Sequence, residues 1–281
     1  MTTRKTVFGF LVITLALALA GRAQVSTAIL PGFDLQTLAR NDDGSTDIVP
    51  IGFAINFYGA THTTLYVNNN GNVTFANPQP AYTPTALTSL GIEIIAPFWA
   101  DVDTRNPASA MVTYGAGTVD GHAAFGVDWV NVGYYAMHAD SLLSCQMVIL
   151  DRSDIAPGDF DLEFNYAQVQ WQWGDVTVGI PPRAGFASGT AGYELPGSGI
   201  DGAFMDTNSV TGLIYNSLNS SDPGRYVFSF RDGTPVPEPT AITLLGVGLL
   251  MLMGASLRVQ SYLLGQAPKR QARNWSLEAD H

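Results

Sequence analysis

Lysine is missing from the body of this sequence. Between Gln24 and Thr240 the basic residues are Arg40, Arg105, Arg152, Arg183, Arg225 and Arg231, set against 22 acidic ones, a net charge of −16. So acidic a body is repelled by phosphate backbones and carries no basic patch with interleaved aromatics, which excludes nucleic acid as a partner. Cysteine is nearly absent as well. The single Cys145 rules out internal disulfides, cysteine-cluster metal sites and CxxC redox pairs. Charged residues make up only 13% of the 281 while 46% are hydrophobic, and that balance excludes a disordered chain. The body shows no apolar 3.6-residue period and its histidines form no HExxH pair. Ser198 sits in Pro-Gly-Ser-Gly rather than a G-x-S-x-G elbow, and no glycine-rich cradle leads a strand into a helix. No catalytic triad and no nucleotide site can be drawn from these residues.

Long hydrophobic runs occur only at the two ends. Arg4 and Lys5 precede an uncharged stretch from Val7 to Ala20, and small residues follow at Gly21 and Ala23, the order of a secretory signal peptide over residues 1–23. An uncleaved anchor is the alternative. A proline-rich linker at 233–240 leads into the apolar stretch 241–257, which is just long enough to span a bilayer. Arg258, Lys269, Arg270 and Arg273 follow in a basic tail, 258–281, that the positive-inside rule keeps in the cytoplasm. Residues 24–232 are therefore expected outside the cytoplasm.

The body reads as short strands between turn signals. Phe53, Ile55 and Phe57 alternate with Ala54 and Asn56; Leu65 and Val67 are separated from Val73 and Phe75 by Asn68-Asn69-Asn70-Gly71. Asn70-Gly71 between alternating runs predicts a two-residue type I′ hairpin turn with both residues at positive φ. Further alternating sets are Ala123, Phe125, Val127 and Trp129; Cys145, Met147 and Ile149; and Val169, Trp171 and Trp173 opposite Gln168, Gln170 and Gln172. Period two with one polar face predicts an all-β fold, an antiparallel β-sandwich whose sheets are solvated on one side.

Two resemblances follow from these residues. Pro237-Glu238-Pro239, an apolar helix and then Arg258 resemble the PEP-CTERM sorting signal of Gram-negative bacteria, although here the chain runs 23 residues beyond that arginine. The resemblance implies processing by an exosortase-type enzyme in cells that make exopolysaccharide; an ordinary membrane anchor is the alternative. In the body, Phe57-Tyr58-Gly59, then Leu65 to Gly71, then Ile95-Ala96-Pro97-Phe98-Trp99-Ala100-Asp101-Val102-Asp103 resemble the NIDO domain, the extracellular module of nidogen, alpha-tectorin and mucin-4. Phe125 to Tyr134, Cys145 to Leu150, Phe164-Asn165-Tyr166 with Trp171, Ala184-Gly185-Phe186 and Leu195 to Gly199 continue the match in order. Cys145 departs from it, standing where the family commonly has Phe. The resemblance implies an extracellular domain associated with cell–matrix contacts.

Candidates for chemistry are few. Asp101 and Asp103 follow an apolar strand, and in an extended chain their carboxylates point to one side, as a calcium site or a carboxylate pair requires. The simpler reading makes Asp103 a cap for backbone amides beside Arg105, so no cofactor is expected and calcium is the open alternative. Asn68, Asn69 and Asn70 can add carbonyl ligands but are explained by turn chemistry. Asp42-Asp43-Gly44-Ser45-Thr46-Asp47 lacks the spacing of a calcium loop and reads as a polar loop. Asp159, Asp161 and Glu163 alternate with Phe160, Leu162 and Phe164, and the acidic stripe is expected on a solvated face. Asn72-Val73-Thr74 and Asn219-Ser220-Ser221 fit the glycosylation pattern. Tyr134, Tyr135, Trp171 and Trp173 form a sugar-stacking platform if they are exposed and coplanar, although a shared face with Val169 favours burial of both tryptophans.

The expected function is an exported, non-enzymatic surface or extracellular-matrix protein that contributes to adhesion or biofilm assembly. Its partners would be the processing enzyme, extracellular polysaccharide or matrix proteins, and the membrane through the C-terminal helix. A carbohydrate-binding module is the alternative, and a hydrolase using Asp101 or Asp103 comes third.

Overall fold

The computed structural model describes residues 28–236. Thirteen strands and one 3-10 turn at Leu87–Ser89 make up its regular structure. The strands are β1 (Gln36–Thr37), β2 (Val49–Phe57), β3 (Ala60–Asn68), β4 (Asn72–Thr74), β5 (Glu93–Trp99), β6 (Thr113–Val119) and β7 (His122–Tyr134). There follow β8 (His138–Asp151), β9 (Phe160–Val169), β10 (Arg183–Ser188), β11 (Gly192–Glu194), β12 (Arg225–Arg231) and β13 (Thr234–Pro235). They form a seven-stranded sheet in the order β1-β6-β7-β8-β9-β12-β13 and a six-stranded sheet in the order β11-β10-β5-β4-β3-β2. Every strand pairing is antiparallel.

Alternation places the core. Phe125, Val127 and Trp129 on β7, Cys145, Met147 and Ile149 on β8, and Phe160, Leu162 and Phe164 on β9 meet Phe57, Val67, Val73, Ile95 and Phe186 of the other sheet in one continuous cluster. The fold is a β-sandwich. Phe160 and Phe230 stack at 4.5 Å across β9 and β12, and Phe186 meets Phe228 edge-on at 5.0 Å. Ala123, expected on the inner face, is exposed.

The outer faces are not solvated as expected. Phe33 is fully buried on the outside of the large sheet with Ala124, Val148 and Leu150. Gly126 admits it: a β-carbon there would stand 2.6 Å from Phe33 Cδ1. Beside it Gln146 acts as a surrogate strand, accepting from the Leu30 amide at 3.0 Å and donating to the Leu30 carbonyl at 2.7 Å. Gln146 also donates to Asp128 Oδ1 at 2.7 Å, and Asn165 donates to Gln146 Oε1 at 3.0 Å. The register that pairs Asp128 with Gln146 and Gln146 with Asn165 builds this polar ladder across three strands.

The acidic stripe along β9, on the face away from the core, is also covered rather than solvated. Asp159, Asp161 and Glu163 are buried. Arg152 and Arg231 hold Asp161 at 2.7 and 2.6 Å, Arg225 holds Glu163 at 2.6 and 3.1 Å, and Asp159 accepts from the Asp232 amide at 3.0 Å. Burying a carboxylate is tolerable where a guanidinium and further donors replace its water. Period two shows which way a side chain faces, and the distant arginines that cover that face are invisible to it.

The β3–β4 turn is longer than expected. Asn68 pairs with Asn72, which leaves a three-residue loop, Asn69 to Gly71, in place of a two-residue turn. Gly71 takes φ +74°, and Asn70 is not among the residues at positive φ. A three-residue hairpin needs one left-handed residue, where type I′ needs two.

Among the described residues no helix is long and apolar enough to cross a membrane. The expected signal peptide (1–23) lies outside the described residues, as do Pro237, Glu238 and Pro239, the apolar stretch 241–257 and Arg258 with its tail.

Candidate functional site

Three segments converge at one end of the sandwich: the acidic loop after Arg40, the Asn69 to Gly71 turn, and the chain leaving β5. The turn is an amide weld between the other two. The Asn69 side-chain amide donates to the Asp42 carbonyl, and also to the Val102 carbonyl at 2.6 Å. The Asn70 amide donates to Asp43 Oδ1 at 2.8 Å, and its oxygen accepts from the Val102 amide at 3.0 Å. Asn68, Asn69 and Asn70 are all buried. Trp129 Nε1 adds a bond of 3.0 Å to the Asn69 carbonyl. Turn chemistry alone would leave these asparagines at the surface; here they link segments far apart in sequence.

Asp101 and Asp103 part company. Asp103 accepts from the Arg105 amide and from Arg105 Nε, both at 2.9 Å, and from the Met137 amide at 2.8 Å. Burial would raise its pKa, but these donors hold it below the ordinary carboxylate value. Asp103 is thus a cap for backbone amides. Asp101 instead joins Asp42 and Asp43, and one carboxylate oxygen from each lies within 4.8 Å of the others. Burial, then the charges of Asp42 and Asp43, push Asp101 up to about 7. Burial, then Asp103 and Asp43, push Asp42 up to about 6, and Arg105, 3.1 Å away, offsets this only in part. Sequence spacing missed this trio because 58 positions separate Asp43 from Asp101. The doubled acid Asp42-Asp43 next to a glycine was its one visible sign.

The remaining candidates are dispersed. His62 meets Glu93, His122 meets Asp154, and His138 lies between Asp140 and Asp175. The Ser198 hydroxyl accepts from the Ala184 amide at 3.0 Å. Trp171 is 4% exposed and donates to the Val132 carbonyl, edge-on to Phe98. Tyr134 stacks on His138 at 4.7 Å and tilts 33° from Trp171. Arg105 lies 5.8 Å over the Tyr135 ring. No exposed, coplanar pair forms among Tyr134, Tyr135, Trp171 and Trp173. Asn72 is fully buried and cannot carry a glycan, whereas Asn219 lies in an outer loop.

Comparison with known proteins places the chain in a family. The family described as NIDO related matches residues 23–211, about two thirds of the chain. The chain belongs to the NIDO-related family. It is 28% identical to alpha-tectorin of Mus musculus and of Homo sapiens over 242 residues, covering 73% of this chain and 10% of each relative. It is 26% identical to nidogen of Drosophila melanogaster over 215 residues, covering 66% of this chain and 15% of that protein. The chain thus spans a tenth to a seventh of the length of these relatives. No solved structure matches it. Within this NIDO-related domain the residues that carried the resemblance have structural work: Asn68 to Gly71 form the weld, Gln146 holds the Leu30 segment, and Trp129 and Trp171 fill the core end.

Proposed function

We propose that the protein is an exported, non-enzymatic surface or extracellular-matrix component that contributes to cell–matrix adhesion or to biofilm and exopolysaccharide assembly. Membership of the NIDO-related family carries this reading. Alignment with alpha-tectorin and nidogen over most of the body supports an extracellular, adhesion-type role. The scatter of the histidines and the hydrogen-bonded state of Ser198 support a non-enzymatic one. Asp101 is desolvated as a general acid must be, yet its carboxylate has one hydrogen bond, a 3.4 Å contact from the Thr177 hydroxyl, and no histidine is bonded to it. The burial of Trp171 weighs against a sugar platform built from the four aromatics.

Export through residues 1–23 and sorting through Pro237-Glu238-Pro239 and Arg258 belong to the same proposal. An exosortase-type enzyme would remove the segment from Ala241 onward and free the body from the membrane. The test is attachment of cells that carry the protein natively, compared with cells lacking it and with cells making Glu238→Ala. Loss of attachment without the protein, and trapping of the variant in the membrane fraction, are expected. Unchanged attachment would overturn the adhesive role, and an unchanged distribution would leave a plain anchor.

A further inference from the structure

All six arginines of the acidic body are committed. Arg40 donates to the carbonyls of Thr104, Asn106 and Ser109; Arg183 pairs with Glu194; Arg152, Arg225 and Arg231 cover the β9 stripe. Arg105 is bound to Asp103 and touches Asp42. Each buried acid therefore has strong donors, with one exception. Asp103, Asp159, Asp161 and Glu163 bind guanidinium or backbone amide groups, and Asp128 binds Gln146. Asp101 is only 2% exposed, one of its oxygens has the long Thr177 contact, and the other has no hydrogen bond. Asp42 Oδ1 is sealed from solvent with no partner, while Arg105 meets the other oxygen of that carboxylate. Asp101, almost wholly buried with that one weak bond, thus stands with Asp42, which has one sealed and unpartnered oxygen, and Asp43 adds a third carboxylate. A sealed anionic oxygen without a donor, next to a buried carboxylate with a single weak one, is costly unless a cation meets them.

We propose that Asp42, Asp43 and Asp101 bind a divalent cation of the calcium class. The donors are all carboxylate oxygen, which suits a hard ion and excludes the softer metals that prefer imidazole or thiolate. Oxygens within 4.8 Å of one another fit inside a calcium shell, whose opposite ligands stand roughly 4.6 to 5.2 Å apart. Water completes the six to eight ligands calcium takes, whereas magnesium parts with its own water reluctantly and is the weaker occupant. Bound there, the ion would tie the acidic loop to the end of β5 across the asparagine weld. The site stands on its own geometry and does not depend on the adhesive role.

The test uses the full-length protein, stripped with chelator and then titrated with calcium chloride or magnesium chloride at constant ionic strength. Bound calcium is counted by equilibrium dialysis and unfolding is followed by intrinsic tryptophan fluorescence. One calcium per chain is expected, with the melting temperature raised by about 5 to 10 °C at a hundredfold excess over the dissociation constant and a smaller rise with magnesium. Asp101→Asn should melt higher than the stripped wild type in chelator, because it removes an unpaired buried charge, and should lose the calcium increment. A cluster that is merely structural would show neither change. Asp43→Asn, at a half-buried position, should weaken calcium binding at least tenfold and serves if Asp101→Asn fails to fold, while Asp140→Asn should leave binding intact. Equal shifts with both ions that persist in Asp101→Asn or Asp43→Asn would reduce the effect to screening of the acidic body, and the absence of bound calcium in the wild type would overturn the proposal outright.

Discussion

Replacing Gly71 with Ala should unfold this domain far more readily than the same change at Gly59, although both glycines hold positive φ. Gly59, at φ +92°, has nothing within 4 Å of where a β-carbon would stand. Its substitution costs the conformational penalty alone, about 1 to 2 kcal/mol. Gly71, at φ +74°, adds a collision: the new β-carbon would overlap the Phe98 carbonyl oxygen and lie 2.7 Å from its carbon. Both partners are backbone, so the turn and β5 must separate. The bonds from the Phe98 amide to the Gly71 carbonyl and from the Ala100 amide to the Asn70 carbonyl, each 3.3 Å, then weaken together. At about 1 kcal/mol for each bond the total becomes about 3 to 4 kcal/mol. For a domain of this size 1 kcal/mol moves the melting temperature by about 2 to 4 °C, so Gly71→Ala should melt about 6 to 16 °C lower and Gly59→Ala about 2 to 8 °C lower. Thermal unfolding of both variants by tryptophan fluorescence and near-ultraviolet dichroism measures the difference. Equal melting temperatures would refute the close approach of the turn to β5, and with it the weld that holds the acidic trio.

Other consequences are as direct. Burial pushes Asp128 up to about 6, with the Gln146 bond opposing, so its folded pKa exceeds its unfolded one. The favourable contribution is then present at pH 4 and lost as pH rises through 6; Asp128→Asn should flatten that decline, by on the order of 2 kcal/mol, in chelator-treated protein followed from pH 4 to 7. Arg225→Ala strands the buried Glu163 and should cost about 2 to 4 kcal/mol in denaturant unfolding, and adding Glu163→Gln should restore much of it. Phe33→Ala empties the seat over Gly126 and should cost about 3 to 5 kcal/mol, which would confirm that the segment before β1 is part of the fold; a change under 1 kcal/mol would show it to be loosely held.

How far the sequence could be read depended on the range of each interaction. The all-β class, the strand faces of Phe57, Val67, Phe125, Met147 and Phe164, and the burial of Trp171 were legible, because period two is a local property that the core enforces. The hairpin was legible but its loop length was not, because the register was set by where Asn68 and Asn72 could both be buried. The β9 stripe was misjudged because Arg152, Arg225 and Arg231 arrive from a preceding loop and from β12. At the candidate site the pairing of Asp101 with Asp103 read from their spacing does not form: Asp103 is taken by Arg105, and Asp101 lies instead beside Asp42 and Asp43 of a loop that local spacing gave no reason to join to it. Local spacing is a rule for ligands contributed by one loop, and this trio draws on two segments.

Export and sorting are read most directly from where the native protein resides and how its ends are cut. Fractions of cytoplasm, membrane, cell surface and medium from cells that carry it naturally would be analysed by mass spectrometry that reads both termini. The body is expected at the cell surface or in the medium, beginning near Gln24 and ending before Ala241. Recovery of the intact chain from Met1 to His281 in the cytoplasm would contradict this.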